Sequence, residues 1–369
     1  MLTNQSSFDM LAHMPKKTTK YQFVKDELLR LIYEDKGLPG GAMLPSENAL
    51  VQQFGVSLIT VRRALGDLAS ENIIYTRKGK GSFVKEVSPN NQKEKSITII
   101  IPTATAEDTV FTLLQGMQTY LTEKNYMMKT FFSGMHIEEE QKYLQNFLDN
   151  GNDGLICFSL NPELNYPLLK KMLNTGRHFV LIDRGLEHHE MTNFVACDNY
   201  SGGFQAAELL INLGHQNIAF ISVFADVSAE KLRLDGYRDA LKNANIEPRP
   251  EFTIHVNNTN KLPQFIKKYG ITAFQCVNDF SASIIMRTLT EAGFRIPEDI
   301  SIFGFDNSVI CRHMPVKLST VVQPFYEIGA TAAKLLDETI EKNLRVKSQF
   351  FLPVELKLRN SHGPKPAAR

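Results

Sequence analysis

The chain has 369 residues and a nearly balanced charge, with 41 Lys and Arg against 40 Asp and Glu and a formal net charge of +1. This overall charge indicates no particular partner, and the length exceeds what one hydrophobic core usually supports. No apolar stretch approaches a membrane span, and the first residues lack the cationic and apolar segments of a secretory signal. We therefore expect a cytoplasmic protein with more than one domain and no membrane partner.

Charge is unevenly distributed along the chain. Residues 16–85 hold 12 Lys or Arg and 7 Asp or Glu, a net +5, whereas residues 86–369 carry a net −3. Because binding to phosphate depends on local cations that release condensed counterions, the first of these segments is the candidate for contact with nucleic acid. Residues 1–19 are polar and show no periodic apolar pattern, which predicts a mobile N-terminal arm.

The segment that follows Leu44 has the pattern of two helices joined by a short turn. Ser46 is placed to cap a first helix that ends near Phe54, where Gly55 can terminate it. Ser57 is placed to cap a second helix over residues 58–70. One face of this second helix is apolar at helical spacing and should pack on the first helix: Val61, Ala64, Leu65 and Leu68.

A basic surface accompanies these two helices. The outer face of the second helix carries Ile59, Thr60, Arg62, Arg63 and Asp67. After it, residues 73–75 and 82–84 are typical of two strands joined by the basic, glycine-rich turn 77–81. The segment could be no more than the solvated basic surface of a small helical domain. A helix-turn-helix with a basic hairpin at this separation favours nucleic-acid binding instead.

Residues 21–84 resemble the winged-helix DNA-binding domain of the GntR family of bacterial regulators, and we assign that domain to residues 20–84. The shared motifs are L-P-S-E at 44–47, G-V-S at 55–57, T-V-R at 60–62, A-L at 64–65 and G-x-G-x-F-V at 79–84. The resemblance implies that the wing tip lies in or near the minor groove of double-stranded DNA. The residues it implies as DNA contacts are Ser57, Thr60, Arg62, Arg63, Lys78, Gly79 and Lys80. Asn48 and Leu58 stand where many members have arginine. Thr60, Arg62, Arg63 and the wing residues 78–80 must therefore carry more of the recognition.

The sequence changes character again after the wing. Residues 85–95 have few apolar residues and one proline, which predicts a linker. From Ser96, apolar runs alternate with helical patterns, beginning with residues 97–101, 110–126, 127–132, 137–150 and 154–158. This alternation predicts an α/β domain, with parallel sheets covered by helices, over residues 96–362, followed by a tail at 363–369. Its length suits two lobes.

Motifs in a fixed order make residues 97–361 resemble the LacI/GalR regulators and the periplasmic sugar-binding proteins. They include N-D-G-L-I at 152–156, L-I-D-R at 181–184, I-P-E-D-I at 296–300 and G-F-D-N at 304–307. The resemblance implies a two-lobed, periplasmic-binding-protein-like domain with doubly wound parallel sheets. Its ligand cleft would lie between the lobes, at the carboxyl ends of strands.

Several polar residues directly follow apolar runs, where a side chain can reach such a cleft. By resemblance, the effector-binding positions are Asp183, Arg184, Arg233, Asn278, Asp306, Gln323 and Phe325. Carboxylates accept from hydroxyls, Arg and Asn donate, and an aromatic ring covers the apolar face of a sugar, so this set suits a monosaccharide. Alternatively, Asp306 fixes a turn, Arg233 pairs on its own helix and Phe325 belongs to the core. The loop over residues 103–111 should contribute from the other lobe.

The sequence lacks patterns that indicate catalysis or a metal or cofactor site. It has no G-x-S-x-G, H-E-x-x-H or Walker motif. Asp183 and Asp306 could pair as in a glycosidase, but their Arg, Asn and Gln neighbours suit hydroxyl binding better. The adjacent His188 and His189 predict a solvated loop, since neighbouring side chains point in different directions. Free, buried thiols are expected at Cys157, Cys197, Cys276 and Cys311.

Together the two domains predict a transcriptional regulator, a repressor, controlled by a small sugar. The same fusion occurs in bacterial arabinose repressors, so the resemblance makes a pentose, L-arabinose first, the expected effector. A homodimer should read a palindromic operator whose half-sites are about 10 base pairs, or a multiple of that, apart. Residues 86–95 are too polar for the hinge helix that LacI members order against DNA. The alternative is a sugar-binding protein of transport or chemotaxis. Such a protein would require a signal peptide and would not bind DNA.

Overall fold

The computed structural model describes residues 19–33, 37–71, 73–77, 79–85, 95–103, 108–150, 153–187, 192–343 and 347–367. They form two compact units, one within residues 1–93 and the other within residues 94–369. The predicted N-terminal arm and most of the predicted linker lie outside the described residues, as do His188 and His189. The domain boundaries therefore stay predictions.

The first unit combines helices with an antiparallel hairpin. Its elements are α1 (Lys20–Tyr33), α2 (Glu47–Phe54), α3 (Leu58–Ser70), β1 (Ile74–Arg77) and β2 (Gly81–Val84). As predicted, the Ser46 hydroxyl caps α2 by accepting from the Ala49 amide, and Gly55 ends that helix in the left-handed conformation, at φ 63°. Ser57 caps α3 in the same way, and the predicted inner face of α3 is buried at Val61, Ala64, Leu65 and Leu68.

The hairpin is longer than the sequence predicts. Arg77 and Gly81 pair within the ladder, so each strand continues closer to the tip than expected. Packing across the strands explains the difference, because the rings of Tyr75 and Phe83 stack with 5.6 Å between centroids. The Arg77 guanidinium carbon lies 5.4 Å from the centroid of the Tyr75 ring and 5.7 Å from that of Phe83.

The second unit alternates strands and helices. Its first half contains β3 (Ser96–Ile101), α4 (Asp108–Glu123), β4 (Met127–Phe132), α5 (Ile137–Asn150), β5 (Gly154–Cys157), α6 (Tyr166–Asn174), β6 (Phe179–Ile182), β7 (Asn193–Cys197) and α7 (Asn199–Asn212). Its second half contains β8 (Ile218–Ser222), α8 (Ser228–Asn243), β9 (Thr253–His255), α9 (Leu262–Tyr269), β10 (Ala273–Cys276), α10 (Asp279–Glu291), β11 (Ser301–Asp306), α11 (Ile310–His313), β12 (Ser319–Val322), α12 (Phe325–Glu341), β13 (Gln349–Leu352) and β14 (Glu355–Lys357). Short 3₁₀ helices lie at Pro250–Phe252 and Val256–Lys261.

Most predicted elements match, with small shifts at their ends. Strand β4 and helix α5 have the predicted bounds. Helix α4 ends earlier than predicted, because Asn125 takes a φ of 59° and the Tyr126 amide turns back to donate to the Leu121 carbonyl. Strand β7 is missing from the predicted set, although its residues 194–197 are apolar.

Each lobe is built on a six-stranded sheet. The strand orders are β4-β3-β5-β6-β7-β13 in the first lobe and β9-β8-β10-β11-β12-β14 in the second. The pairs are parallel except β12 with β14. In both lobes the order reverses beside the first strand, β3 or β8, which is the arrangement of a doubly wound sheet and leaves a crevice at the carboxyl ends of the strands. The predicted fold class is confirmed.

The described chain passes between the lobes three times. It leaves the first sheet after β7, returns between β12 and α12, and crosses again between β13 and β14. Helix α12 packs on α4, β6 and β7, so it belongs to the first lobe, whereas α7 packs on α8 and on strands of the second lobe. The first two crossings lie next to the carboxyl ends of β7 and β12, close to several predicted effector residues.

Glycines allow two helix pairs to pack backbone against backbone. A Cβ at Gly203 of α7 would lie 2.2 Å from the Arg233 carbonyl oxygen, and one at Gly236 of α8 would lie 2.2 Å from the Tyr200 carbonyl oxygen. In the first lobe, Gly116 and Gly329 play the same role between α4 and α12. This close approach fixes the distance between α7 and α8, and with it the position of Arg233.

Gly236→Ala is therefore expected to destabilise the second unit by about 1–3 kcal/mol, the usual cost of overpacking a close contact. Chemical denaturation followed by circular dichroism measures the change in the free energy of unfolding. The control is Gly66→Ala, a helical glycine of α3 whose Cβ would meet nothing within 4 Å. Equal effects of the two substitutions on the second unit would contradict the packing argument.

Candidate DNA interface and effector site

Helix α3 presents its predicted DNA-facing residues on an exposed surface. The Ser57 hydroxyl accepts from the Thr60 amide at 3.3 Å and lies 2.8 Å from the Thr60 hydroxyl. Arg62 donates from Nε to Glu47 Oε2 of α2 at 2.9 Å. This contact uses Nε, and the Arg62 side chain stays largely exposed.

Arg63 is engaged within its own unit. Its guanidinium carbon lies 4.6 Å from the centroid of the Tyr21 ring on α1, and the Tyr21 hydroxyl donates to Asp67. Arg63 remains exposed. It therefore joins α1 to α3, a role that the sequence pattern does not indicate.

The turn between β1 and β2 carries the other predicted residues. Gly79 and Gly81 take φ values of 75° and 113°, where side chains are disfavoured, and Gly79 and Lys80 are exposed. Lys78 lies outside the described residues. The structure thus forms the wing that the sequence predicts.

Ile59 on α3 is absent from the predicted DNA contacts. It is 80% exposed although it is apolar, on the same helix as Thr60 and Arg62. A contiguous DNA-facing surface would make sense of such a side chain, because apolar groups can contact thymine methyls in the major groove. The sequence places Ile59 on the outer face of this helix, and the structure agrees.

Two predicted effector residues occupy equivalent places in the two lobes. Asp183 follows β6 and Asp306 ends β11, and each of these strands is the fourth from the β4 or β9 edge of its sheet. Both residues have positive φ, 62° for Asp183 and 121° for Asp306. Such backbone conformations cost on the order of 1–3 kcal/mol and persist where the surroundings impose them, typically at ligand sites.

Arg233 of α8 lies at the centre of the site and is buried. It donates from Nε to Asn199 Oδ1 and from Nη1 to the Val277 carbonyl oxygen, both at 2.7 Å. Nη1 lies 3.8 Å from Asp306 Oδ1, and the guanidinium carbon is 3.7 Å from the centroid of the Phe305 ring. The alternative that Arg233 only pairs on its own helix is wrong, because these partners all come from other elements.

Arg184 lies between aromatic rings from both lobes. Its guanidinium carbon is 5.1 Å from the ring centroid of Phe158 and 5.6 Å from that of Phe224, and Nη1 donates to the Leu160 carbonyl oxygen at 2.7 Å. Its Nε lies 3.6 Å from Asp183 Oδ2. Arg184 thus contacts residues of both lobes.

The loop that contains Arg184 holds the two lobes together on one side of the cleft. The Gly185 amide donates to the Ser228 hydroxyl at 3.1 Å, and Lys231 pairs with Glu187 at 2.9 Å. Both partners lie on α8 of the second lobe. The relative position of the lobes is therefore coupled to the residues that follow Asp183.

The remaining predicted residues differ in how close they come to this centre. Gln323 donates from Nε2 to Asp306 Oδ1 at 2.7 Å and is buried. Asn278 lies at the start of α10, where its side-chain oxygen accepts from the Ser281 amide at 2.8 Å. Phe325 begins α12 and packs, partly buried, against the main apolar cluster. Of these three, Gln323 contacts the charged residues directly.

Burial raises the pKa of the Asp306 carboxyl well above its ordinary value, and the nearby Asp279 and Asp183 add to the effect, while Arg233 and Gln323 oppose it. The side chain nevertheless keeps 22% of its surface accessible within the cleft. Burial also raises the pKa of the Cys197 thiol, so that side chain stays protonated. Burial is the largest cause of both shifts.

Two polar residues of the site do not appear in the predicted set. Asn199 is buried beside Arg233, and Cys197 donates from Sγ to Gln323 Oε1 at 3.1 Å. Asn199 lies two residues after the apolar run of β7, so the rule of looking after apolar runs would reach it once that strand is recognised. The loop 103–111 is only partly described, and Phe111 within it is exposed on α4.

Among the described residues, no cluster of His, Cys, Asp and Glu is arranged to hold a metal ion. A search of the same residues finds no helix long and apolar enough to cross a membrane. The four cysteines are buried.

Comparison with protein families matches residues 20–84 to bacterial regulatory proteins of the gntR family and residues 207–362 to a periplasmic binding protein-like domain. A LacI family transcriptional regulator from Enterococcus faecium, crystallised with bound ribose, is 27% identical. It superposes with a TM-score of 0.63 over 73% of this chain and 99% of its own. Both predicted family resemblances are confirmed.

Curated relatives extend the match to the whole chain. The arabinose metabolism transcriptional repressor of Halalkalibacterium halodurans is 29% identical over 348 residues, 89% of this chain and 92% of that protein. The protein of the same name from Geobacillus stearothermophilus is 30% identical over 368 residues, 94% of this chain and 99% of that protein. The chain therefore belongs to the family of the arabinose metabolism transcriptional repressors, DNA-binding regulators that join a GntR-type domain to a LacI-type sugar-binding domain.

Proposed function

We propose that this protein represses transcription by binding an operator and is released from it by L-arabinose. The observation that carries the proposal is the meeting of two carboxylates and two guanidiniums, from Asp183, Asp306, Arg184 and Arg233, at the junction of the lobes. Carboxylates accept from sugar hydroxyls and guanidiniums donate to them, so one ligand can contact both lobes.

The charges favour a neutral sugar over a sugar phosphate or a sugar acid. Each basic side chain stands beside an acidic one, Arg184 beside Asp183 and Arg233 beside Asp306, so an added phosphate would lie against these two carboxyl groups. A neutral pentose needs only hydrogen bonds and an apolar wall. Phe158 and Phe224 line Arg184 on both sides, and we assign Phe325 to the same wall.

Relatives support the choice of a pentose. The two curated repressors named above concern arabinose metabolism, and the Enterococcus faecium regulator was crystallised with ribose, another pentose. Asn278 keeps its amide NH₂ for a ligand, because the cap on α10 uses its oxygen. We therefore keep all seven effector positions, with Gln323 acting through Asp306.

DNA recognition is assigned to α3 and the wing. We propose that Thr60, Arg62 and Arg63 contact phosphates or base edges in the major groove, and that Lys78, Gly79 and Lys80 reach the minor groove. Glu47 holds Arg62 by Nε and so orients its terminal nitrogens, the donors that pair with guanine. Ser57 positions Thr60 through the helix cap.

We propose a cytoplasmic homodimer that reads a palindromic operator. Sugar binding would favour one arrangement of the lobes, and contacts such as Gly185 with Ser228 would differ between the arrangements. A role in transport or chemotaxis is disfavoured, because residues 20–84 match a DNA-binding family and the relatives are regulators. Those relatives are not enzymes, which also agrees with the absence of catalytic motifs.

Arg62→Ala is expected to weaken operator binding by about tenfold to a hundredfold, the usual range for one base or phosphate contact. The operator is first selected from a random DNA pool with the wild-type protein. Fluorescence anisotropy at several salt concentrations then measures both affinity and its salt dependence, whose slope should fall by about 0.9 if a phosphate contact is lost.

Arg238→Ala is the control, because Arg238 is an exposed arginine on α8 of the other unit and pairs with Asp235. It should leave both the affinity and the slope unchanged. Unchanged DNA binding by Arg62→Ala would remove α3 from the proposed interface.

Asp306→Ala is expected to weaken L-arabinose binding by about tenfold to a hundredfold, since hydrogen bonds to a charged group are worth roughly 1.5–3 kcal/mol. Isothermal titration calorimetry measures the affinity. Operator binding without sugar should survive, because the DNA-binding unit is separate.

The matched control is Asp235→Ala, which removes an exposed carboxylate from α8. A wild-type protein that binds D-ribose or a sugar phosphate in preference to L-arabinose would contradict the proposed ligand. Retention of sugar affinity by Asp306→Ala would contradict the proposed cleft.

A further inference from the structure

Five side chains form a continuous ring of polar contacts at the first two crossings between the lobes. Cys197 Sγ donates to Gln323 Oε1 at 3.1 Å, and Gln323 Nε2 donates to Asp306 Oδ1 at 2.7 Å. Asp306 Oδ1 lies 3.8 Å from Arg233 Nη1, and Arg233 Nε donates to Asn199 Oδ1 at 2.7 Å. Asn199 Nδ2 returns to the Cys197 carbonyl oxygen at 3.3 Å.

The thiol of Cys197 faces two amide oxygens, Gln323 Oε1 at 3.1 Å and Asn199 Oδ1 at 3.4 Å. Its hydrogen donates to one of them at a time, and the shorter contact is the one with Gln323. The NH₂ group of Gln323 must then face Asp306. On the opposite side, the Cys197 carbonyl takes the NH₂ group of Asn199, which leaves the Asn199 oxygen for Arg233.

Cys197 thus acts on both sides of the ring, through its thiol and through its backbone carbonyl. It lies at the first crossing and Gln323 at the second, whereas Asp306 and Arg233 are proposed ligand contacts. Cys197, Asn199, Arg233 and Gln323 are buried, so water cannot easily replace a lost partner.

We propose that Cys197 and Asn199 are positioning residues for the sugar, which orient Gln323, Asp306 and Arg233 without touching the ligand. The inference rests on the proposed function, because it assigns a task to the neighbours of that sugar site. Asn199 fixes the guanidinium of Arg233 by accepting from Nε. Cys197 fixes the Gln323 amide and, through it, one oxygen of Asp306.

The competing explanation is that Cys197 only fills space in the core, as buried cysteines commonly do. Cys276 provides the comparison, because it is also buried, at the end of β10 in the second lobe, and lies in an apolar cluster. Removing either thiol takes one buried sulfur atom from the protein. Removing the Cys197 thiol also takes away the donor to Gln323 Oε1.

The test measures L-arabinose affinity by calorimetry for Cys197→Ala, Cys197→Ser and Cys276→Ala. Cys197→Ala should bind about five- to tenfold more weakly than wild type, the effect of one lost buried hydrogen bond. Cys197→Ser keeps a donor and should regain most of the affinity, while Cys276→Ala should match wild type. Equal affinities for Cys197→Ala and Cys276→Ala would overturn the proposal for Cys197.

Asn199 is tested with an apolar and a conservative variant. Asn199→Leu should lower the affinity for L-arabinose about tenfold to a hundredfold, because it leaves the buried Nε of Arg233 unpaired. Asn199→Asp keeps an oxygen acceptor and should restore much of the loss. Operator binding without sugar is measured for both, and loss of affinity in Asn199→Asp equal to that in Asn199→Leu would overturn the role of the oxygen.

Hydrogen exchange of the sugar-free protein tests the ring without any ligand. Cys197→Ala should speed exchange at amides 197–200, 321–323 and 325, and Cys276→Ala should not. If wild type fails to bind L-arabinose but Cys197→Ala still shows this local change, the proposed effector is wrong and the ring stands. If exchange at both crossings is unchanged in Cys197→Ala, the ring does not hold these segments and the inference fails.

Discussion

The site depends on how the charge of Arg233 is accommodated inside the protein. A buried guanidinium is several kcal/mol less stable than one in water unless hydrogen bonds and an opposite charge compensate. Here the partners are Asn199 after β7, the Val277 carbonyl after β10, and Asp306 at the end of β11. Because these elements are distant in sequence, one cation connects the first crossing between the lobes with two strand ends of the second lobe.

The rest of the fold keeps this cation in place. Helices α7 and α8 touch backbone to backbone at Gly203 and Gly236, which fixes Arg233 relative to Asn199. The positive φ values of Asp183 and Asp306 are maintained in the same region, by sheets whose strands are buried on both faces. The close packing behind these two residues holds their unfavourable backbone conformations in place, because such conformations persist only in rigid surroundings.

This arrangement suits a protein whose two lobes must move as units. A ligand can shift an equilibrium between lobe arrangements only by as much as it binds one arrangement better than the other. Charged groups at the junction, rather than deep within one lobe, give a ligand contacts whose geometry changes with the arrangement. Arg184 has one aromatic neighbour from each lobe, and Gly185 is hydrogen-bonded to Ser228, so both contacts join the lobes at this junction.

The sequence by itself determined the helix caps, the inner face of α3, the alternation of strands and helices, and the residues at strand ends that could face a cleft. These features depend on neighbours within a turn of helix or on the alternation along a strand, and both are readable locally. Only the tertiary structure decided that Asn199 and Cys197 join the site, that Arg63 rests on Tyr21, and that the wing strands reach Arg77. Such contacts join residues far apart in sequence, 34 positions for Arg233 with Asn199 and 126 for Cys197 with Gln323, so no local pattern encodes them.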